Sequence, residues 1–362
     1  MKVKRFFFSV VALCCAVVAW AQQNDMSTAI LQHEAQGEVQ TSLYIGMDAL
    51  INAHEAAVDG DVITLSAGTF YLASIRKAVS VYGTGFEANE ATGTDVTTLV
   101  KKDGYNMQVG KTSSGVLENV HLEGLRIDCG LDISWNNGQQ TDPVKNLTVT
   151  KCYITGNIAF NNNITDVKVS QCVITGGVFG NSATYLATNL TICNCHIGTL
   201  VRTFAAESSV LIDHCIIKEG FYHDDQCDVS AFTWQNCIFV LDSWYHKNVG
   251  YGSHVYNNIF PNFERSLPAT ANCEGNFEVP ESPFVGGNAA YSPENTFEIK
   301  APTVWIGNDG TEIGINGGEG FSKVPATPVV KNLSAIPEGT KLNVSFETHA
   351  RPGPATNTNP EP

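Results

Sequence analysis

Two short stretches of this chain gather side chains that do chemistry on sugars or hold hard cations. The first, FYHDDQCD at Phe221–Asp228, places His223, Asp224, Asp225 and Asp228 close together. Carboxylate oxygens at this density suit calcium, with Asp224, Asp225 and Asp228 as candidate ligands. Paired carboxylates also suit glycoside hydrolysis, one protonating the leaving oxygen while the other activates water or attacks the sugar. The same composition equally describes a solvated acidic loop. The second stretch, SWYHKN at Ser243–Asn248, offers Trp244 and Tyr245 as stacking surfaces for a sugar ring. His246 or Lys247 there, or His223 in the first stretch, would serve as the proton-transfer group. The alternative for SWYHKN is a loop that folds its aromatics back over the body. Arg202 and Arg265 flank the two stretches and are candidate partners for a substrate carboxylate.

The two stretches are inserted in a repeated phrase, and the repeat says what must position them. NLTVTKCYITG begins at Asn146, DVKVSQCVITG at Asp166, NLTICNCHIG at Asn189, SVLIDHCIIKEG at Ser209, AFTWQNCIFV at Ala231 and HVYNNIFPNF at His254. Aligned on Cys152, Cys172, Cys195, Cys215, Cys237 and Asn258, the steps are 20, 23, 20, 22 and 21 residues. A weaker copy, NVHLEGLRID from Asn119, puts Leu125 in the same slot. A period near twenty residues is the mark of a solenoid. Within each phrase apolar residues alternate, as Leu147 and Val149, then Cys152 and Ile154, which is the period of a strand. The extra residue between Val149 and Cys152 implies a bend, so each phrase reads as two short strands meeting at a corner. Val, Ile and Thr dominate, and Asn and Gly fall at the corners, which disfavours a helical repeat. The fold class is therefore all-β, a parallel β-helix, with coils about 4.8 Å apart and like residues stacked in a dry interior.

The alternation predicts two inward ladders, the cysteines and the column Ile154, Ile174, Ile197, Ile217 and Phe239. It also places Val173 and Ile216 outward, so that Val173→Asp would be mild where Ile174→Asp would be ruinous. The chain holds 11 cysteines, of which Cys14 and Cys15 fall in the leader described below. No Cys-x-x-Cys spacing is present to suggest a metal, and stacked thiols point in parallel rather than toward each other, so the column reads as free buried thiols. A disulfide involving Cys227 or another column remains the alternative.

The chain opens with Met-Lys-Val-Lys-Arg, runs apolar from Phe6 to Trp20, and carries Ala19-Trp20-Ala21 before Gln22. This reads as a secretory signal peptide over residues 1–21 and predicts an exported, periplasmic or cell-surface protein with no inserted span. The formal net charge of −15 becomes −18 once Lys2, Lys4 and Arg5 leave with the leader. A protein this acidic is a poor partner for nucleic acid or for an anionic membrane. Residues 22–42 read as an extended lead-in. Leu43, Met47, Leu50, Ile51 and His54 recur at helical spacing, with Ser42 as the cap, predicting a short helix that covers the N-terminal end of a solenoid over residues 43–321. NDGTEIGINGG from Asn308 reads as the last irregular turns. Residues 322–351 read as an appended hairpin or cap around Pro337–Gly339, and residues 352–362 as a disordered tail.

GDVITLSAGTFYL from Gly60, with VSVYGTGFE from Val79, resembles the opening of the pectin-lyase-like superfamily of right-handed parallel β-helices. The residues that carry the likeness are Gly60, Asp61, Ala67, Gly68, Thr69 and Phe70. They are architectural, so the resemblance implies a fold rather than an activity. LIDHC at Leu211–Cys215 and HVYNNIF at His254–Phe260 are similar to pectate lyase phrases, and that likeness implies a calcium site near Asp213. No Arg lies between Asp242 and Ser253, where such an enzyme would carry its catalytic arginine. Three functions follow in order. The first is an exported protein binding extracellular polysaccharide on a loop-lined outer face. The second is a polysaccharide lyase acting on a uronate glycan by β-elimination, and the third a glycoside hydrolase.

Overall fold

The computed structural model describes residues 27–35, 38–89, 94–111, 114–136, 139–182, 184–202, 204–205, 207–218, 220–221, 232–241, 253–267, 272–325, 329–338 and 341–349. From Val62 on, the chain winds as a solenoid whose strands run parallel in three sheets, ten of them in the first sheet of 12, ten in the second and six in the third, and successive coils add neighbouring strands. Val144–Thr150 lies in the first sheet, Tyr153–Ile154 in the second and Ile158–Phe160 in the third. Register is kept from coil to coil, so that Val120, Leu147, Val167, Leu190, Val210 and Phe232 stack in one inward column.

The corner between the first two sheets is made by one residue per coil in the left-handed conformation. Lys151, Gln171, Asn194, His214, Asn236 and Asn257 have φ between 49° and 56°. A single residue there turns the chain sharply, and asparagine tolerates it better than most side chains, which is why Asn recurs at the expected bend. A second left-handed column, Asn119, Asn146, Asp166 and Asn189, lies within the first sheet. Its side chains bond along the axis, Asn146 Nδ2 to Asn119 Oδ1 at 2.5 Å and Asn189 Nδ2 to Asp166 Oδ1 at 2.6 Å. The third sheet was not visible in the sequence. Its strands are two or three residues long and follow tight glycine corners; a Cβ on Gly198 would fall 2.1 Å from the Thr175 carbonyl oxygen.

Both inward ladders are present. Cys152, Cys172, Cys195, Cys215 and Cys237 are fully buried and free of disulfides. Each thiol donates to the carbonyl oxygen two residues earlier, at 3.0–3.3 Å. Burial pushes the thiols of Cys152, Cys172, Cys195 and Cys215 well above the ordinary range, so they behave as small apolar groups. Asn258 continues the column and is fully paired: its Nδ2 donates to Trp234 O at 2.9 Å and its Oδ1 accepts from Cys237 N at 2.9 Å. Thiol titration of denatured, unreduced protein should therefore return at least seven thiols, the column together with Cys129 and Cys193. Finding one or two would mean that the column is bridged.

The N-terminal part departs from expectation. Thr28–Ala35 (β1) and Glu38–Ile45 (β2) form an antiparallel hairpin, and β1 continues the first sheet by pairing with Val62–Leu65. Ser42 is a strand residue of β2 and caps nothing. The helix, α1, spans Ala49–Ala56 after Asp48, because Gly46 at φ 99° ends the strand and blocks any earlier start. Ala49, Leu50 and Ala53 of α1 are buried in the main core. His54 is buried too, not at the helix margin, and its Nε2 accepts the Arg76 backbone N–H at 3.1 Å.

Beyond the solenoid, residues 281–325 lie along its outside. Ile216, Ile238 and Ile259 on the outer face of the second sheet pack with Phe284, Phe297, Ile299, Ile313 and Ile315 into a second core. Val173 is therefore buried, not exposed. Its register neighbours Tyr153 and His196 lie 5.7 and 6.0 Å, ring to ring, from Tyr291. The predicted alternation is correct in register, but the outward side is covered. NDGTEIGINGG is not a set of closing turns but a strap on the corner column. Asn257 Nδ2 donates to Ile306 O, Asn236 Nδ2 to Asn308 Oδ1, Asn194 Nδ2 to Ile315 O and Gly317 O, and Gln171 Nε2 to Gly320 O. Farther on, Val329–Glu338 and Lys341–His349 pair as an antiparallel hairpin.

Candidate functional site

His223, Asp224, Asp225 and Asp228, with Cys227, lie outside the described residues, as do Trp244, Tyr245, His246 and Lys247. Their anchors are described. The first stretch departs after Gly220–Phe221 in the third sheet and returns at Phe232 in the first. The second departs straight after Ile238–Phe239 of the second sheet, where Leu241 N donates to Lys218 O at 3.1 Å, and returns at His254. Thr233 and His254 are register partners. The two stretches therefore leave from different sheets of the solenoid, yet rejoin the same sheet one coil apart.

The two arginines belong to different coils. Arg202 belongs to a third-sheet strand opposite Phe179. Arg265 lies on the one-turn helix α2, Phe263–Ser266, whose cap Asn262 accepts from the Arg265 backbone N–H at 2.9 Å. Three coils of about 4.8 Å separate them, roughly 14 Å along the axis.

Asp213 stands on the outer face of the first sheet, one residue before the corner at His214. Its Oδ1 accepts from Asn236 Nδ2 at 2.9 Å and lies 3.8 Å from His214 Nε2. The His214 ring is nearly fully buried. Its Nε2 is 3.1 Å from Asp309 Oδ2 and its Nδ1 is 3.1 Å from the Gly314 carbonyl oxygen. Asp309 is tied in turn by Thr311 N and Oγ1. Burial works to raise the Asp309 carboxyl, but the Thr311 hydrogen bonds and the His214 ring bring it below the ordinary range. Burial, with Glu298 nearby, pushes Glu312 upward. This cluster fastens the strap to the coil. An amide donor and an imidazole beside the Asp213 carboxylate do not suit calcium, which takes oxygen ligands, and no group of three or more His, Cys, Asp or Glu that could hold a metal forms among the described residues.

Among the described residues, the outer face of the first sheet carries no packed layer like that of the second. His121, Thr148, Lys168, Thr191, Thr233 and His254 fall in one outward column there, with Leu211 between Thr191 and Thr233. All are half-buried, and Lys168 Nζ lies 3.2 Å from Glu319 Oε1 of the C-terminal segment. At one end the buried Glu123 carboxylate joins His121 Nε2 at 3.0 Å and Lys151 Nζ at 3.6 Å, with the Tyr82 ring 5.0 Å from His121. At the other, His254 Nδ1 meets Tyr256 Oη at 2.7 Å, beside the place where both candidate stretches return. The two ends are six coils apart, roughly 30 Å. Sequence reading passed over these residues because a hydroxyl at every second position is ordinary in a strand. Among the described residues no helix is long and apolar enough to cross a membrane. Compared with protein-family models, with curated proteins and with solved structures, the chain gives no match, and what places it is its architecture, a predominantly β chain wound as a parallel solenoid.

Proposed function

We propose that this chain is an exported, right-handed β-helix protein of the pectin-lyase-like kind that binds extracellular polysaccharide along the outer face of its first sheet. In this reading α1 and the β1–β2 hairpin close the N-terminal end, and the hairpin over residues 329–349 is an appendage. The observation that carries it is an asymmetry between two outer faces. The outer face of the second sheet is apolar and covered by the chain's own C-terminal segment. That of the first carries hydroxyl, amine and imidazole groups on most coils and, among the described residues, has no packed layer over it, the C-terminal segment meeting it where Glu319 pairs with Lys168; the segment holding Trp244 and Tyr245 rejoins it at His254. An extended polymer suits such a surface, since successive coils set mostly polar side chains in one line. Aromatic rings add area at small entropic cost. Calcium held by Asp224, Asp225 and Asp228 would offset the protein's negative charge toward an acidic glycan.

Retention on a panel of insoluble and bead-coupled polysaccharides tests this. The protein without its leader should be retained on at least one polymer. Trp244→Ala with Tyr245→Ala, or Thr233→Arg on the sheet face, should cut retention at least fivefold with no change in the thermal midpoint. Retention on no polymer, or retention unmoved by either variant, would rule the face out. Absorbance from unsaturated uronate products in the same samples would turn the binder into a lyase.

A further inference from the structure

A cavity of about 230 Å³ opens where α1 meets the segment 101–106. Its floor is apolar, from Ile51, Leu72 and Ala73, and its rim is polar. Tyr105 on the rim is 58 % exposed, although a tyrosine ring normally finds cover. Asn106 and Ser74 bring an amide and a hydroxyl, while Arg76 and Glu55 bring opposite charges.

Several of these groups are held in place before any ligand arrives. The Arg76 backbone is pinned by its N–H bond to His54 Nε2. Burial first, then Lys77 and Arg76, lower the His54 pKa to about 4, so the ring is a neutral acceptor at ordinary pH. Lys102 is fixed by Asp48 at 2.6 Å and lies over the Tyr71 ring at 5.3 Å. Asn106 Oδ1 accepts from Gly130 N at 3.3 Å and its Nδ2 faces Asp132 Oδ1 at 3.4 Å. Preformed walls reduce the ordering cost of binding.

The lining also narrows the ligand class. Charges of both signs balance around the opening, which gives an anion no advantage, and the chain as a whole is strongly acidic. An exposed aromatic ring beside planar hydrogen-bonding groups and an apolar floor matches a molecule with apolar faces and many hydroxyls. The volume is below the ~300–1,000 Å³ typical of drug-sized ligands, which limits the occupant to one or two rings.

We propose that this cleft between α1 and residues 101–106 binds a single unit of an uncharged saccharide, with Tyr105 stacking on the ring and Arg76, Asn106 and Glu55 bonding its hydroxyls. The choice of a sugar rests on the glycan reading above, but the site is separate from the sheet face. Saturation-transfer NMR on the protein without its leader is the test, using the methyl glycosides of glucose, galactose, mannose and N-acetylglucosamine. At least one should receive saturation. Tyr105→Ala should reduce the signal at least fivefold, Tyr105→Phe should keep it, and Thr233→Arg on the sheet face should leave it unchanged. Because Tyr105 is exposed, Tyr105→Ala should keep the thermal midpoint of the parent. No transfer to any glycoside, or transfer lost with Thr233→Arg and kept with Tyr105→Ala, overturns the cleft. Polymer retention without glycoside binding removes the cleft and leaves the face. Glycoside binding sensitive to Tyr105→Ala without polymer retention does the reverse.

Discussion

Val173→Asp should unfold the protein as thoroughly as Ile174→Asp. The two side chains leave opposite sides of one strand, and both are completely buried. Ile174 enters the solenoid between Ile154 and Ile197. Val173 enters the outer layer between Tyr153 and His196, near Tyr291, whose own hydroxyl is given to Glu87. A carboxylate in place of Ile174 meets only apolar rungs and one in place of Val173 has beside it only the buried His196 ring, and a poorly compensated buried charge costs several kcal/mol, commonly about 3–5. That is a large share of the ~5–15 kcal/mol that holds a domain together. Both variants should give little soluble protein, whereas Val173→Ala should fold with a lowered denaturant midpoint. A fully stable Val173→Asp would mean that residues 281–299 do not sit on the second sheet in solution.

A chain stopped after Val279 should self-associate. It would keep the coils but uncover Ile216, Ile238 and Ile259, a continuous apolar stripe on the outer face of the second sheet. Stripes of that kind on soluble proteins mark interaction or aggregation sites. Light scattering on a sizing column should show oligomers or a loss of recoverable protein. Phe297→Ala in the full chain gives a graded version. Phe297 packs with His196 at 5.4 Å and with Phe284 and Tyr291 at 6.2 Å. Removing such a ring costs about 3–5 kcal/mol where the site cannot collapse. A monomeric truncated chain with an unchanged midpoint would show that the outer layer contributes nothing to stability.

Much of the solenoid was legible because it is local: the twenty-residue period, the alternation and the corner asparagines all lie within one coil. The cysteine column followed from alignment alone. The outer layer was not legible, because its contacts join residues far apart in the chain, such as Lys168 with Glu319 across 151 positions. A signal was nonetheless present. Outward positions of the first sheet are mostly polar, as Thr148, Lys168, Thr191 and Thr233, while those of the second are apolar, as Val173, Ile216, Ile238 and Ile259. An apolar column facing outward asks for a cover, and Phe284, Phe297, Ile299, Ile313 and Ile315, read as part of the solenoid and its last turns, supply it. The helix start was misplaced because spacing counted Leu43 and Met47 as one face, while Gly46 between them cannot carry a helix at its φ of 99°. Of the chemical residues, the sequence located the stretches between strands; it could not say that they depart from different sheets.

The strap also changes how the molecule comes apart. Coils that touch only their neighbours would fray from either end, one rung at a time, as a nearly one-dimensional chain of weak links. Here Gln171, Asn194, His214, Asn236 and Asn257, the corner residues of five successive coils, are bound by one segment, which runs on to put Lys323 at 2.9 Å from Glu87 near the first coils. Loosening an end coil must disturb a segment that distant coils still hold. Unfolding should therefore be nearly all-or-none along the length rather than progressive. Assembly carries the opposite consequence: contacts such as Tyr291 with Glu87, 204 positions apart, close only after every coil between them exists. The last step of folding is then the slow one, and until it is complete the outer side of the second sheet stays bare.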